Sequence, residues 1–251
     1  MRAFTHSRDG FGALVTLPPF PGVFVTGTDT GVGKTQVGLA VIRELKARGL
    51  RVAAMKPIET GVPESGPEDA LALWNATDRS APLEDLCPLQ YKLPAAPNIA
   101  AQAEGREVDL HRVYDAFPRI CEGQDFVWVE GAGGLLVPIR PNLCMADLAQ
   151  TLKLPIILVA RASLGTINHT LLSLSEIKHR RLPLLGVIIS HAIGPLTDAD
   201  HQNLSALKDR LGAELLGELL PLEKGAHPEE GWLDVERVIE RRQSLQFDAS
   251  R

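Results

Sequence analysis

The sequence contains few cysteines. Only Cys87, Cys121 and Cys144 occur among the 251 residues, and they are odd in number and far apart. No two of them have the spacing of a metal-binding pair, and distant unpaired thiols do not indicate a disulfide framework. We therefore expect reduced thiols in a cytoplasmic protein, without a zinc-type centre.

Long apolar runs and clusters of basic residues are also missing. No apolar run approaches the roughly 20 residues of a membrane-spanning helix. Residues 1–17 lack the apolar core of a signal peptide, so we expect no export. The formal net charge is −5, without a basic cluster that would reverse it locally. We therefore expect no nucleic-acid partner and no membrane partner.

A glycine-containing loop follows the apolar run at 23–26 and precedes a segment with helical apolar spacing at 36–48. The loop reads Gly27-Thr28-Asp29-Thr30-Gly31-Val32-Gly33-Lys34-Thr35. This strand–loop–helix order is typical of a phosphate-binding loop, whose backbone N–H groups cradle phosphate oxygens. Lys34 would reach the terminal phosphates, and the Thr35 hydroxyl would hold Mg²⁺. The general pattern has glycine where this chain has Thr28, and an ordinary glycine turn is the alternative interpretation.

Apolar strands alternate with helices along the chain. The predicted strands are 23–26, 51–55, 126–130, 155–160, 184–190 and 215–219, and the predicted helices are 36–48, a short one beginning at 68, 110–121, 145–152, 165–180, 198–211 and 232–242. This alternation predicts an α/β fold, a single P-loop NTPase-like domain with a mostly parallel sheet and helices on both faces. The predicted domain spans 21–242, after a poorly specified extension at 1–20 and before a frayed tail at 243–251. The segment 80–101 has no clear period.

Three charged side chains follow predicted strand ends or begin a predicted helix on the same side. Ligands of such sheets bind at the carboxyl ends of the strands. Lys56 is then either a cation for an anionic intermediate near the γ-phosphate or a solvated surface lysine. Asp69 and Glu130 are candidate Mg²⁺ ligands, because Mg²⁺ takes one or two carboxylates. Asp69 equally suits the dipole of a helix start.

Two further segments suit anions or nucleotides. Gly165, Thr166 and Asn168 begin a predicted helix, where free N–H groups could bind a carboxylate, although N-capping by Thr166 is the alternative. Ser190 and His191 close a predicted strand and could reach a nucleotide base.

Several segments in this order resemble the dethiobiotin synthetase family. They are VTGTDTGVGKT (25–35), KPIETG (56–61), EDALAL (68–73), PAAPNIAAQAEG (94–105), VEGAGG (129–134) and LGTINHTL (164–171). The resemblance covers most of the chain, from about residue 21 to 222. The combination is far more specific than a phosphate loop alone, and the loop spacing agrees with the family's own form.

The resemblance implies an ATP- and Mg²⁺-dependent ligase that closes a ring. Its substrates would be 7,8-diaminononanoate, CO₂ and ATP. One amine captures CO₂ as a carbamate, the γ-phosphate activates it as a mixed anhydride, and the second amine closes the cyclic urea. A homodimer is also implied, because the turn that binds the distant substrate carboxylate comes from the neighbouring subunit in this family.

Residue roles follow from the same resemblance. Lys56, Lys34 and Thr30 would be catalytic, and Thr35, Asp69 and Glu130 would hold Mg²⁺. The stretch Gly27 to Thr35 would bind ATP together with Ser190 and Pro221. Thr60 and the amides of Gly165, Thr166 and Asn168 would bind the diamine substrate.

The chain departs from the family pattern at two places. Ser190-His191 stand where many members have Asn to contact adenine, which leaves the nucleotide preference open. Asn98 stands where many have His, and we assign it no role.

Two other functions remain as alternatives. One is a P-loop switch ATPase that positions partners on membrane or DNA, although relatives of that kind carry a second lysine early in the loop. The other is a cobyrinate-type amide synthetase, for which the chain lacks the length and a candidate Cys/His pair.

Overall fold

The computed structural model of the protein describes residues 21–192, 194–222, 226 and 228–248, with side chains of the last helix up to residue 245. The predicted extension at 1–20 and the end of the predicted tail, 249–251, lie outside the described residues.

Helices and strands alternate along the described chain. The strands are β1 (Gly22–Gly27), β2 (Val52–Met55), β3 (Ile58–Thr60), β4 (Leu89–Tyr91), β5 (Phe126–Gly134), β6 (Pro138–Arg140), β7 (Leu143–Cys144), β8 (Ile156–Arg161), β9 (Leu184–Ser190) and β10 (Leu215–Leu219). The helices are α1 (Lys34–Ala47), α2 (Glu68–Ala76), α3 (Leu83–Leu86), α4 (Pro97–Ala103), α5 (Leu110–Cys121), α6 (Met145–Thr151), α7 (Thr166–His179), α8 (Asp198–Leu211) and α9 (Val235–Asp248).

A six-stranded sheet forms the centre of the domain, in the order β10-β9-β8-β1-β5-β2. Every neighbouring pair in it is parallel. All six strands were predicted from the sequence, and the α/β fold with a mostly parallel sheet is confirmed. β1 lies near the middle of the sheet, and the chain adds β2 and β5 on one side of it and β8, β9 and β10 on the other. The loop after β1 therefore opens onto the carboxyl edge at the point where ligands of such sheets bind.

Both faces of the sheet are covered. Every residue of β1 is buried, and so is every residue of β2. Since successive side chains of a strand point to opposite faces, full burial requires packed elements on both sides. The near-continuous apolar composition of these strands is the sequence feature that predicted this arrangement.

The strand predicted at 126–130 is longer in the structure, where it is β5. Gly131 to Gly134 continue β5, and Gly134 pairs with Gly27 after a register shift. The ideal Cβ position of Gly131 lies 3.0 Å from the Phe24 ring, so a side chain there would press on the core. The glycines therefore let two strands approach closely beside the phosphate loop.

The segment 80–101 contains structure that its lack of period did not indicate. It holds the short α3, then β4, then α4, and β4 pairs with β3 in a separate two-stranded parallel sheet. The backbone N–H of Lys56 donates to the Leu86 carbonyl at the end of α3, at 2.8 Å. This segment therefore fixes the chain directly after β2.

Helix ends follow their local chemistry. Gly49 lies just after the C-cap of α1 and has φ +79°, the left-handed conformation in which a glycine commonly ends a helix. Asp109 caps α5 by accepting the His111 N–H at 3.1 Å. The last helix runs Val235–Asp248, which is later and longer than the predicted 232–242.

Helix α1 packs closely on β5 at one glycine. The ideal Cβ position of Gly38 lies only 2.6 Å from Nε1 of Trp128, which is fully buried. Gly38 thus allows the large indole to lie against the helix that begins at the phosphate loop. None of the described helices has the length and apolar character needed to cross a membrane.

Candidate active site

A cleft of about 350 Å³ lies at the carboxyl edge of the sheet, at the ends of β1, β2 and β5. Its lining comes from the phosphate loop, from the chain around β3, from the start of α2 and from β5. The lining residues are Thr30, Gly31, Gly33, Lys34, Thr35, Gln36, Lys56, Ile58, Glu59, Thr60, Asp69, Glu130, Ala132, Gly133 and Ala192. The structure therefore brings together the predicted Lys34, Lys56, Asp69 and Glu130 with Thr30, Thr35 and Thr60.

The loop before α1 has the backbone shape of an anion cradle. Gly31 and Gly33 have φ of +71° and +90°, which favour glycine. An ideal Cβ at Gly27 would lie 2.7 Å from the Asp29 carbonyl oxygen, so this position also tolerates only glycine. Gly33 occupies the N-cap position of α1, and no side chain caps the helix there. The unused N–H groups of this end can therefore bind a phosphate.

The remaining loop residues tie the loop to its neighbours. The Thr28 N–H donates to the Val159 carbonyl at 3.0 Å, and its Oγ1 accepts the Arg161 N–H at 3.3 Å. Asp29 is exposed and accepts the Thr30 N–H at 2.7 Å. Val32 is fully buried. Thr28, Asp29 and Val32 therefore hold the loop, while Thr30, Gly31 and Gly33 face the cleft.

Lys56 lies between two carboxylates. Its Nζ donates to Glu130 Oε1 at 2.5 Å and to Asp69 Oδ2 at 2.7 Å. The Lys56 side chain is 4% exposed and that of Glu130 is fully buried, whereas that of Asp69 is 45% exposed. A buried ion pair of this kind is costly unless it is well bonded. The sequence-based alternative of a solvated surface lysine is therefore wrong.

Burial and charge act in opposite directions on these groups. Burial alone would lower the pKa of Lys56, but Glu130 and Asp69 outweigh it and hold that pKa above its ordinary value. Burial would raise the pKa of Asp69, and Lys56 outweighs it to lower that pKa. Lys34 differs, because burial is the larger influence and lowers its pKa. The cleft thus holds a firmly charged Lys56 and a poorly solvated Lys34.

The oxygen ligands available here suit Mg²⁺. Thr35 Oγ1 donates to Glu130 Oε1 at 2.8 Å. Lys56 Nζ donates to both Glu130 and Asp69, so the two carboxylates lie on either side of one ammonium group. Glu130 Oε2 is buried and has no hydrogen-bond partner among the described residues. An unpaired buried carboxylate oxygen is costly and calls for a cation. One hydroxyl and two carboxylates fit the hard-oxygen preference of Mg²⁺ when phosphate and water complete the shell.

Glu59 belongs to the site although the sequence did not point to it. It is 6% exposed and lines the cleft. Its Oε1 and Oε2 accept the N–H groups of Asp69 and Ala70, at 3.1 and 2.9 Å. Glu59 therefore occupies the free N-terminal amides of α2 and fixes the backbone of Asp69. The sequence feature that could have pointed to Glu59 is its position inside KPIETG (56–61), one of the segments that resemble the family.

A second cleft of about 470 Å³ adjoins the first, with Gln36 and Ala192 lining both. The predicted Ser190 and Pro221 line it, together with His191, Gly194, Pro195, Leu219, Leu220 and Leu222. Ser190 is 2% exposed. An ideal Cβ at Gly33 would lie 2.4 Å from Ser190 Oγ, so this hydroxyl packs on the phosphate loop.

The predicted carboxylate-binding residues lie elsewhere. Neither cleft is lined by Gly165, Thr166 or Asn168. The N-cap of α7 is Gly165 with φ +89°, and Thr166 Oγ1 is buried without a hydrogen-bond partner among the described residues. The alternative in which Thr166 caps the helix is therefore wrong. The Thr166 N–H already donates to the Ser163 carbonyl at 3.1 Å, whereas Gly165 and Asn168 are exposed.

Comparison with known proteins identifies the family. A family model described as an AAA domain matches residues 21–229. The chain is 48% identical over 177 residues to ATP-dependent dethiobiotin synthetase BioD of Anaeromyxobacter dehalogenans strain 2CP-C, which covers 70% of this chain and 79% of that protein. It is 38% identical over 212 residues to the protein of the same name from Thermodesulfovibrio yellowstonii, covering 80% of this chain and 88% of that one.

Solved structures of other proteins share the fold. The signal recognition particle receptor FtsY of Elizabethkingia anophelis in complex with GDP has a TM-score of 0.50 at 14% identity, covering 92% of this chain and 66% of that one. That likeness concerns the fold alone, whereas the sequence relatives match over most of their own length. The chain belongs to the ATP-dependent dethiobiotin synthetase family.

Proposed function

We propose that this protein is a dethiobiotin synthetase, a ligase that closes the ring of dethiobiotin from 7,8-diaminononanoate, CO₂ and ATP. The observation that carries the proposal is the buried Lys56 ammonium, held by Glu130 and Asp69 beside a phosphate loop. Such a fixed cation suits an anion that must meet a γ-phosphate. Family membership supplies the substrate class.

The chemistry requires an anion, an acceptor phosphorus and a second amine. One amine of the diamine adds to CO₂, and loss of a proton gives the carbamate. A carbamate oxygen then attacks the γ-phosphorus and expels ADP, which leaves a mixed anhydride. The second amine attacks the carbonyl carbon and loses a proton, and phosphate departs as the cyclic urea closes. Each step needs positioning and neutralised charge more than covalent help from the protein.

The chain's own residues would supply that positioning. Lys56 would turn from its carboxylate partners to the carbamate, and Lys34 would contact the terminal phosphates. Thr30 and Thr60, which both line the cleft, would hydrogen-bond the reacting groups. Lys34 is well suited to an anion, because a buried ammonium with a lowered pKa gains from a phosphate partner.

The charge balance of the cleft supports a metal requirement. Lys34 and Lys56 bring two ammonium groups to the cleft, whereas Glu59, Asp69 and Glu130 bring three carboxyl groups, so these side chains offer a triphosphate no excess of positive charge. Mg²⁺, held by Thr35, Asp69 and Glu130, would neutralise the phosphate charge that builds up during transfer. Chelation of Mg²⁺ should therefore abolish turnover.

The distant carboxylate of the substrate would bind at the start of α7 in a second copy of the chain. This start does not line the cleft of its own chain, and Leu164 and Leu172 beside it are 72% and 60% exposed. Large apolar residues left exposed just before α7 and in its second turn support burial of this surface in a homodimer. The homodimer and the cytoplasmic location stay predictions.

The test is identification of the product. The purified protein is incubated with 7,8-diaminononanoate, ATP, Mg²⁺ and ¹³C-bicarbonate, and the product is examined by mass spectrometry and ¹³C NMR. One ¹³C in a cyclic urea carbonyl is expected. ATP hydrolysis without ¹³C incorporation would overturn the proposal and favour the switch ATPase. Omission of the diamine is the control.

A further inference from the structure

We propose that Arg161, at the end of β8, is a positioning residue of the phosphate loop, which sets nucleotide affinity by holding and neutralising Asp29. Asp29 is the one acidic residue of the loop at 27–35. The inference rests on the proposed function, in which a nucleoside triphosphate occupies that loop. It concerns a cation that lines neither cleft and that the sequence did not single out.

The phosphate loop carries a negative charge of its own. The Asp29 side chain is 54% exposed, and its Oδ1 accepts the Thr30 N–H at 2.7 Å. Burial is the largest influence on the pKa of Lys34 and lowers it, and Asp29 is among the nearby charges that raise it. A carboxylate within that range of Lys34 would repel the phosphates that Lys34 contacts, unless a cation compensates it.

Arg161 meets the loop at two points. Its backbone N–H donates to Thr28 Oγ1 at 3.3 Å, and its Nη1 lies 3.8 Å from Asp29 Oδ2. β8 pairs in parallel with β1, so the end of β8 lies directly beside the loop that follows β1. The first contact therefore fixes the loop to the sheet, and the second brings a guanidinium, which is always charged in proteins, to the carboxylate of the loop.

The Arg161 side chain is held in place rather than free in solvent. It is 23% exposed, and its Nε is buried without a hydrogen-bond partner among the described residues. An unpaired buried donor costs free energy, and a partly exposed ion pair contributes little stability. The position of this charge is therefore better explained by the phosphates than by the stability of the fold.

The charges of the cleft indicate what this cation would do. Lys34 and Lys56 face three carboxyl groups in the lining, which leaves no excess of positive charge for a triphosphate. Asp29 would add a further negative charge beside it, and Arg161 cancels that charge. Loss of Arg161 should therefore weaken nucleotide binding more strongly with each added phosphate.

The test measures dissociation constants of AMP, ADP and a non-hydrolysable ATP analogue by isothermal titration calorimetry, with Mg²⁺ chelated so that it does not shield the phosphates. In Arg161→Met the ATP analogue should bind about fivefold weaker and ADP about threefold weaker, with AMP close to wild type. Arg161→Lys keeps the charge and should stay within about twofold of wild type. Arg161→Met/Asp29→Asn should recover most of the loss. Arg180→Met removes an arginine of similar exposure at the other end of α7 and should leave all three constants unchanged.

Three results would overturn the inference. They are wild-type affinities in Arg161→Met, an equal loss for all three nucleotides, and a loss that persists undiminished in Arg161→Met/Asp29→Asn. Thermal unfolding confirms that each variant is folded. Failure of all three nucleotides to bind the wild-type protein would overturn the nucleotide site and the proposed function with it. A loss that grows with phosphate number, in a protein that closes no ring, would leave the inference standing and reject only the proposed reaction.

Discussion

Nζ of Lys56 lies 2.5 Å from Oε1 of Glu130, and neither side chain has more than 4% of its surface exposed. Lys56 directly follows β2 and Glu130 lies in β5, and these strands are neighbours in the sheet although 74 positions separate the two residues in the chain. Parallel pairing brings their strand ends to one edge. This pair is the centre of the proposed catalytic machinery. Because it is also a buried ion pair, substitutions in it should change both the stability of the fold and the activity.

Removing Lys56 should destabilise the fold as well as stop the reaction. Lys56→Met leaves the Glu130 carboxylate buried without its cation, which costs about 3–5 kcal/mol of unfolding free energy. Lys56→Met/Glu130→Gln should recover most of that loss, because the remaining amide is neutral. Urea unfolding measures both. Equal stability of the single and double variants would contradict the buried charge pair.

A second variant at Lys56 distinguishes a role in nucleotide binding from a role in ring closure. Lys56→Ala should lose most ring closure while ADP still binds at the phosphate loop, since Lys34 and the loop amides remain. Product formation and ADP titration are measured on one preparation. Near-normal turnover would remove Lys56 from the mechanism.

The buried Lys34 ammonium should lower the free energy of unfolding of the nucleotide-free protein. Its folded pKa is lowered by burial, so the ammonium is disfavoured in the fold at pH values below that pKa, and the cost disappears once pH exceeds the unfolded pKa. Lys34→Met should therefore raise the melting temperature at neutral pH by about 2–4 °C. ADP should no longer raise it further. Arg43→Met, exposed on the same helix, is the control.

The acid side of the stability profile should depend on Asp69. Its folded pKa is lowered mainly by Lys56 acting against burial, so its contribution is present above the unfolded pKa and is lost as pH falls through the folded one. The stability difference between wild type and Asp69→Asn should shrink between about pH 5 and pH 2. A difference that stays constant over that range would contradict the ion pair.

Much of this arrangement could be predicted from the sequence. The central strands other than β10 are near-continuous apolar runs, and the order strand, glycine loop, Gly-Lys-Thr identifies the phosphate loop and the helix after it. Lys56 and Glu130 could be placed at one edge because both follow buried strands. Apolar runs, helical spacing and the position of polar residues after strands sufficed for these elements.

The remaining features depend on contacts between distant segments. The segment 80–101 is formed from short elements whose pairing with β3 has no local signal, although it holds the Lys56 backbone. Glu59 serves Asp69 through backbone N–H groups, which any carboxylate of suitable reach could do. The pairing of His191 with Glu218 joins two strands and could not be inferred from the chain order.

The close contact between α1 and β5 predicts a specific packing defect. Gly38→Ala would place Cβ about 2.6 Å from Trp128 Nε1, which neither the helix nor the buried strand can relieve cheaply. A loss of about 1–3 kcal/mol in unfolding free energy is expected. Trp128→Phe should reduce the additional cost of Gly38→Ala in a double-mutant cycle. Additive effects would mean that the two side chains do not meet.

The proposed dimer makes a prediction of its own. Asn168→Asp should repel the substrate carboxylate, and Lys56→Ala should remove the cation. If each site uses Lys56 of one chain and Asn168 of the other, a mixed dimer has one intact site, and an equal mixture should recover about a quarter of wild-type activity. No recovery after subunit exchange would place both residues in one chain's site.

The most direct test of the central claim is phosphate release from ATP, with 7,8-diaminononanoate and bicarbonate each present or omitted. Activation of a carbamate predicts release only when both are present, with one phosphate for each ring closed. Release that is indifferent to the diamine would contradict the account and indicate an ATPase with another purpose.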